Sequence, residues 1–206
     1  MMNTNHLHWR YATKQFDPSK RVSDADMDLI LEAMRLAPTS FGLQPFRVVL
    51  VESSSIREQL KEASWNQSQI TDASHLLVIQ TLSEVSESVI HDYIHRIAAT
   101  RSMDVAQLDG YRGMIVGYLS HQPSTVAWTQ RQAYLAMGFG LQMAAQLQVD
   151  TCPIEGIDPS AYDRILNLGE GYSTVVAMAV GYRSVDDGYQ HAKKVRLPSD
   201  LFYLTV

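Results

Sequence analysis

Apolar and polar positions change period several times along the chain. From Val22 to Ala37 the residues Met27, Ile30, Leu31 and Met34 recur at spacings of three and four, which predicts an amphipathic helix. Ser23 with Asp26 three residues on forms a capping-box pattern at its start, and Pro38 stops it. Three short β-branched runs, Phe46 to Val51, Leu76 to Thr81 and Ser173 to Val180, predict buried strands of one sheet. Between them lie helical stretches: Ile56 to Ala63, a polar-faced Val85 to Arg101, a segment around Asp104 to Leu119, and Val126 to Leu147. That order fits an α/β or α+β sandwich with helices on the sheet faces.

Trp128 to Leu147 is apolar on most sides, which predicts a central helix buried all round, in the core or between subunits. Its Gly138 and Gly140 do not make a dinucleotide loop, because no strand precedes them and the third glycine of that motif is missing; they read as sites of close helix packing. Pro123 and Ser124 break two helices apart, but no linker or repeat divides the chain, so a single domain over residues 1–206 is expected.

With 46% hydrophobic and 19% charged residues among 206, the composition is that of a globular protein. Folding at this length removes roughly 70% of the unfolded chain's surface from water, enough for a core without staples. The net charge of −5 argues against a general nucleic-acid binder, so any anion site must be local. Cys152 is the one cysteine, which excludes a disulfide framework or a multi-cysteine metal site and suits a reducing, cytoplasmic location. The first ten residues lack the apolar stretch of a signal peptide, and no apolar run approaches the about 18 residues of a membrane span.

Candidate chemistry is sparse. His91 and His95 share a helical face in HDYIH, but no third ligand is evident, and a solvated face is the ordinary reading; His6 and His8 sit in a polar N-terminus. No metal site is expected. Cys152 lacks a motif-related histidine and reads as a small buried side chain. Lys20 and Arg21 read as solubility charges. Arg10 and Lys14, four apart with Tyr11 and Thr13 between them, could surround a phosphate and an adjoining polar ring. Lys194 and Arg196, beside Lys193, would point the same way in an extended segment, and a dianionic phosphate would justify bringing the two spots together. Two further segments have the make-up of ligand-reading loops: Ala37 to Phe46 between a helix and a strand, and Pro153 to Gly156, whose glycine permits close backbone approach.

Together, RYATKQFDPSK, APTSFGLQPF, DASHLLVI, PIEGID, GYSTVVAMAVGYRS and KVRLP resemble, in order and over nearly the whole chain, the nitroreductase family of FMN-dependent NAD(P)H oxidoreductases. The resemblance implies an α+β fold with a central mixed β-sheet flanked by helices. It also implies a homodimer with FMN at the interface, in which the apolar tail Leu201 to Val206 adds a strand to the partner's sheet. Arg10, Lys194 and Arg196 would hold the FMN phosphate, with Tyr11 and Ala12 beside it, and Lys14 would face the pyrimidine side of the ring. Asn66 would read the ring edge with Gln69 close by. Pro153, Ile154, Glu155 and Gly156 would pass beside the ring, the Glu155 backbone N–H facing N5, and Thr39, Ser40 and Gln44 would come from the second subunit.

The sequence departs from the family pattern at three of these places. Ala12 stands where many relatives have a phosphate-contacting serine, Gly42 where an asparagine is common, and Gln69 where some carry a second lysine. Residues 103–123, which shape the family's substrate mouth, align with nothing specific. The implied activity is ping-pong transfer of hydride from NAD(P)H to flavin N5 and on to a nitroaromatic, quinone or free flavin. The alternatives are a flavin-binding or sensing module without turnover, or a relative that dehydrogenates, dehalogenates or fragments flavin.

Overall fold

The computed structural model describes residues 4–206; Met1 to Asn3, the start of the stretch read above for a signal peptide, lie outside the described residues. Four strands form: β1 (Phe46–Val51), β2 (His75–Leu82), β3 (Asp150–Ile154) and β4 (Tyr172–Gly181). Around them lie α1 (Asn5–Trp9), α2 (Asp24–Arg35), α3 (Ser54–Glu62), α4 (Gln69–Asp72), α5 (Glu87–Arg101), α6 (Asp109–Ser120), α7 (Val126–Gln146), α8 (Pro159–Leu166) and α9 (Ser199–Phe202). The segment expected as one helix from Asp104 opens as a 3-10 turn, Val105–Leu108, before α6. At α2 the Ser23 hydroxyl accepts from the Asp26 N–H but also donates to the Asp26 carboxylate at 2.7 Å, so only half of the reciprocal capping box is made.

The sheet order is β1-β2-β4-β3, and every neighbouring pair is antiparallel. The mixed sheet expected from the family is thereby corrected: its parallel component is a single bridge, Ala12 to Thr151, because the N-terminal segment runs alongside β3 too briefly to form a strand. Side chains alternate across the two inner strands, β2 and β4. Leu77, Ile79, Val176, Met178 and Val180 pack with Ile30 and Met34 of α2 and Ala133, Ala136 and Met137 of α7. Leu76, Val78, Ala177 and Ala179 pack on the other face with Leu60 of α3, Cys152 and Tyr162 of α8. Each such buried aliphatic side chain contributes about 1.5–3 kcal/mol. A third cluster joins Ile90, Ile94 and Ile97 of α5 to Ile115 and Leu119 of α6 and Trp128.

α7 is covered by its own chain on one side. Its inner face is buried, but Leu135 and Phe139 are 45% and 39% exposed, so the helix is not covered all round by its own chain. Close packing holds for one glycine only: a Cβ on Gly140 would stand 2.8 Å from Met34 Cγ, whereas at Gly138 it would meet nothing. In the single chain, Ser199–Phe202 of the tail makes a helical turn and Leu201 to Val206 pair with no strand of their own sheet. A strand needs a neighbouring backbone, and within its own chain this apolar segment stays exposed.

Candidate functional site

The antiparallel pairing of β3 with β4 sets the site's position. Because Ala12 bridges Thr151, and Thr13 N–H donates to the Thr151 carbonyl at 3.2 Å, residues 10–14 run beside the strand that leads into Pro153 to Gly156. The chain leaving β4 returns to the same place. There the Asp187 carboxylate, almost fully buried, accepts from Lys14 N–H at 2.8 Å, Gln15 N–H at 3.2 Å, the Tyr11 hydroxyl at 2.9 Å and Tyr189 N–H at 3.0 Å. Burial and the Asp187 contact raise the Tyr11 hydroxyl well above the ordinary tyrosine range.

Held in this way, Arg10, Lys194 and Arg196 line one cavity of about 410 Å3 with Thr4, Leu7 and His8. The Lys194 ammonium donates to the Arg10 carbonyl. Among the described residues none of the three cations has a carboxylate within ion-pair distance. The Arg10 Nε is buried without a hydrogen-bond partner. Burial, and then the neighbouring Arg196, lower the Arg10 pKa, while burial followed by Arg10 and Arg196 lowers that of Lys194. Three clustered cations around an orphaned donor, two of them with lowered pKa, make a pocket that a dianion would stabilise.

Next to this pocket, Lys14 Nζ lies 3.9 Å from Cys152 Sγ, and the thiol also bonds Gln69. Burial pushes the Cys152 thiol up, with Lys14 and Arg10 opposing. The thiol is 1% exposed, as expected for a small core side chain. Beyond it, Ile154 is buried in the core, so only its main chain can meet a ligand. The Glu155 carboxylate is taken by the Tyr134 hydroxyl at 2.5 Å, which with burial pushes that tyrosine up to about 12. Gly156 permits a close approach, but by protein: a Cβ there would lie 2.8 Å from the Trp65 ring. Gln67 Nε2 donates to the Gly156 carbonyl at 3.0 Å, so Asn66, between Trp65 and Gln67 and in left-handed backbone, stands beside this loop.

Thr39, Ser40 and Gln44 form a separate group. Ser40 N–H donates to Gln132 of α7 at 2.8 Å, Thr39 Oγ1 accepts from Gln44 N–H at 3.3 Å, and the Gln44 amide donates to the Arg35 carbonyl at 2.5 Å. Among the described residues no hydrogen bond joins them to the basic pocket. Between them Phe41, at φ 58°, is held by its carbonyl, which accepts from the hydroxyls of Tyr93 at 2.6 Å and Tyr111 at 2.8 Å. The Tyr93 hydroxyl would sit 2.6 Å from a Cβ on Gly42, itself at φ +71°, which explains why this chain has glycine there. Tyr118 stacks edge-on against Phe41 at 5.4 Å, so the unaligned 103–123 region supports this loop. His91 and His95 sit on an exposed helix face, their rings 4.2 Å apart. Among the described residues no group of three or more potential ligands could hold a metal.

Three residues that organise the site escaped the sequence reading: Asp150, Arg183 and Asp187. Each works by joining segments far apart in the chain, so no local pattern announces it.

The fold and site define an α+β protein with helices on both faces of its sheet and a basic pocket that joins Arg10 to Lys194 and Arg196. The Nitroreductase family model matches residues 7–182. The chain is 36% identical over 193 residues to the Bacillus subtilis protein YfkO, named as a candidate NAD(P)H nitroreductase, covering 87% of each chain. A Staphylococcus saprophyticus protein with the same description is 33% identical over 193 residues, again at 87% of each. Among solved structures, the candidate nitroreductase ydfN of Bacillus subtilis superposes at TM-score 0.87 with 21% identity, over 98% of both chains. A candidate nitroreductase of Exiguobacterium sibiricum in complex with FMN superposes at 0.82 with 22% identity, over 100% of this chain and 98% of that one. The chain belongs to the nitroreductase family.

Proposed function

We propose that the protein is an FMN-dependent NAD(P)H oxidoreductase acting on nitroaromatics, quinones or free flavins. The observation that carries this reading is the convergence of Arg10, Lys194 and Arg196 on one cavity, with no carboxylate pairing them and no partner for the buried Arg10 Nε among the described residues. The residues present fit a flavin phosphate there. When bound, FMN supplies an N5 that accepts hydride from a nicotinamide and passes two electrons to an oxidised acceptor.

The chain's own residues bind and orient. Arg10, Lys194 and Arg196 hold the phosphate, with the Tyr11–Ala12 backbone beside it. Lys14, next to Gln69 and Cys152, places a cation toward the pyrimidine side and favours negative charge there. Asn66 and the main chain of Pro153 to Gly156 edge the ring, and Tyr134 holds the Glu155 carboxylate away from any acid–base role. Thr39, Ser40 and Gln44, tied to α2 and α7, complete the pocket of a second copy. The exposed apolar face of α7 and the apolar tail support a homodimer.

The test is direct. The purified protein is expected to be yellow, to bleach anaerobically with NADH or NADPH, and to regain colour with a nitroarene or quinone. A yellow protein that resists both donors would support a binding module or a relative with another donor. A colourless protein that cannot take up FMN would remove the reading.

A further inference from the structure

Arg183 follows β4 and lies at the joint where the end of that strand meets the start of β3. Its backbone N–H donates to Asp150 Oδ2 at 2.9 Å, its Nε reaches both carboxylate oxygens at 2.9 and 3.0 Å, and its terminal nitrogen lies 2.6 Å from Oδ1. Asp150 is 3% exposed, so this bidentate pair is held firmly and its charges cancel. The guanidinium then lies against two aromatic rings, with its carbon 4.4 Å from the centre of Trp9 and 4.7 Å from that of Tyr11. Those rings flank Arg10 in sequence. Tyr11 is further tied by its hydroxyl to Asp187, and the Arg10 carbonyl to Lys194.

The consequence is geometric. Arg10 belongs to a short segment just beyond the five-residue α1, a segment with little intrinsic rigidity of its own. Among the described residues its Nε has no acceptor, so no protein hydrogen bond at that atom fixes its direction. What fixes the backbone on both sides is the plate formed by Arg183 under Trp9 and Tyr11. Arg183 itself cannot serve as the anion ligand, since its charge is neutralised by Asp150 and covered by the rings.

We infer that Arg183 is a positioning residue that aims Arg10 at the phosphate and thereby makes the site prefer the phosphorylated flavin, FMN, over riboflavin. This rests on the FMN reading above. The ring end is anchored separately: Lys14 N–H donates to the Asp187 carboxylate, which the plate meets through the Tyr11 hydroxyl and not through the Arg183 guanidinium. A lysine at position 183 would keep the charge and a contact with Asp150 but could not lie flat against two rings.

The experiment titrates the full-length protein, stripped of flavin, with FMN and with riboflavin, following quenching of flavin fluorescence. For Arg183→Lys, FMN affinity is expected to fall about tenfold while riboflavin affinity stays put, and in an Arg10→Ala background the same substitution should cost nothing more. Trp9→Leu, which removes one ring and leaves the Arg183–Asp150 pair intact, should lower the FMN-to-riboflavin ratio in the same direction and serves if the first variant does not fold. Equal weakening of both ligands, an unchanged ratio, or losses that add to those of Arg10→Ala would overturn the proposal. A wild-type protein that binds FMN no better than riboflavin fails earlier, at the phosphate site itself, and takes the proposal with it.

Discussion

The Arg10 carbonyl accepts from the Lys194 ammonium, while among the described residues the Arg10 Nε has no partner, so on the proposed reading its side chain serves a guest rather than the protein. Removing it should therefore cost binding more than folding. Arg10→Ala and Arg196→Ala are each expected to lower FMN retention by the roughly 1.5–3 kcal/mol of a hydrogen bond to a charged group, with little change in melting temperature, as read by flavin absorbance after gel filtration. Full retention by the double variant would count against the phosphate placement. A different titration belongs to His75, which is 4% exposed and accepts or donates at Nδ1 to the Ser74 hydroxyl at 2.9 Å. Burial first, then Arg21 and Arg57, lower its pKa below the ordinary 6.5, against weaker opposition from Asp24 and Glu52. Between the folded value and 6.5 the unfolded chain binds more protons, so stability rises with pH across that window and is lost as pH falls through it. Denaturant midpoints measured from pH 7 to 5 should fall, and His75→Gln should flatten the slope.

Elements show where sequence reasoning works and where it stops. β1 runs over Phe46–Val51 as read from its unbroken β-branched run, and α2 keeps its cap at Ser23 because both signals are local. β3 leaves little trace in the apolar pattern, since Asp150–Ile154 is five residues long and includes Pro153, tolerated at this edge of the sheet order. The α4 turn, Gln69–Asp72, is too short to leave a period. The left-handed Phe41 is legible nowhere in the chain, because it is imposed by hydroxyls from Tyr93 and Tyr111, far along in α5 and α6. Of the site, the cations were visible as types and spacing, whereas Asp150, Arg183 and Asp187 acquire meaning only after folding. At the α2–α7 contact, Gly140→Ala puts a methyl 2.8 Å from Met34 Cγ in a side chain that is 1% exposed. Overpacking of this kind should destabilise by about 1–3 kcal/mol, seen as a lower urea midpoint with an unchanged slope.

On the scale of the whole molecule, apolar surface is distributed unevenly. Leu135 and Phe139 project from α7, and Leu201, Phe202 and Leu204 from the tail, each at least 39% exposed in the single chain. Exposed apolar patches of this sort mark association surfaces. If these surfaces form the proposed dimer, Leu135→Asp should shift sedimentation from dimer to monomer and, with Thr39, Ser40 and Gln44 proposed to complete the second copy's pocket, release flavin as well. A variant that stays dimeric with flavin bound would remove α7 from the interface.

The basic cavity takes one wall from residue 10 and another from residues 194 and 196. During synthesis on the ribosome the first wall emerges early and waits for nearly all of the chain behind it. On the proposed reading, capture of the flavin phosphate has to wait until both walls have left the ribosome, and a nascent chain halted before Lys194 should not retain FMN however much of its sheet has formed.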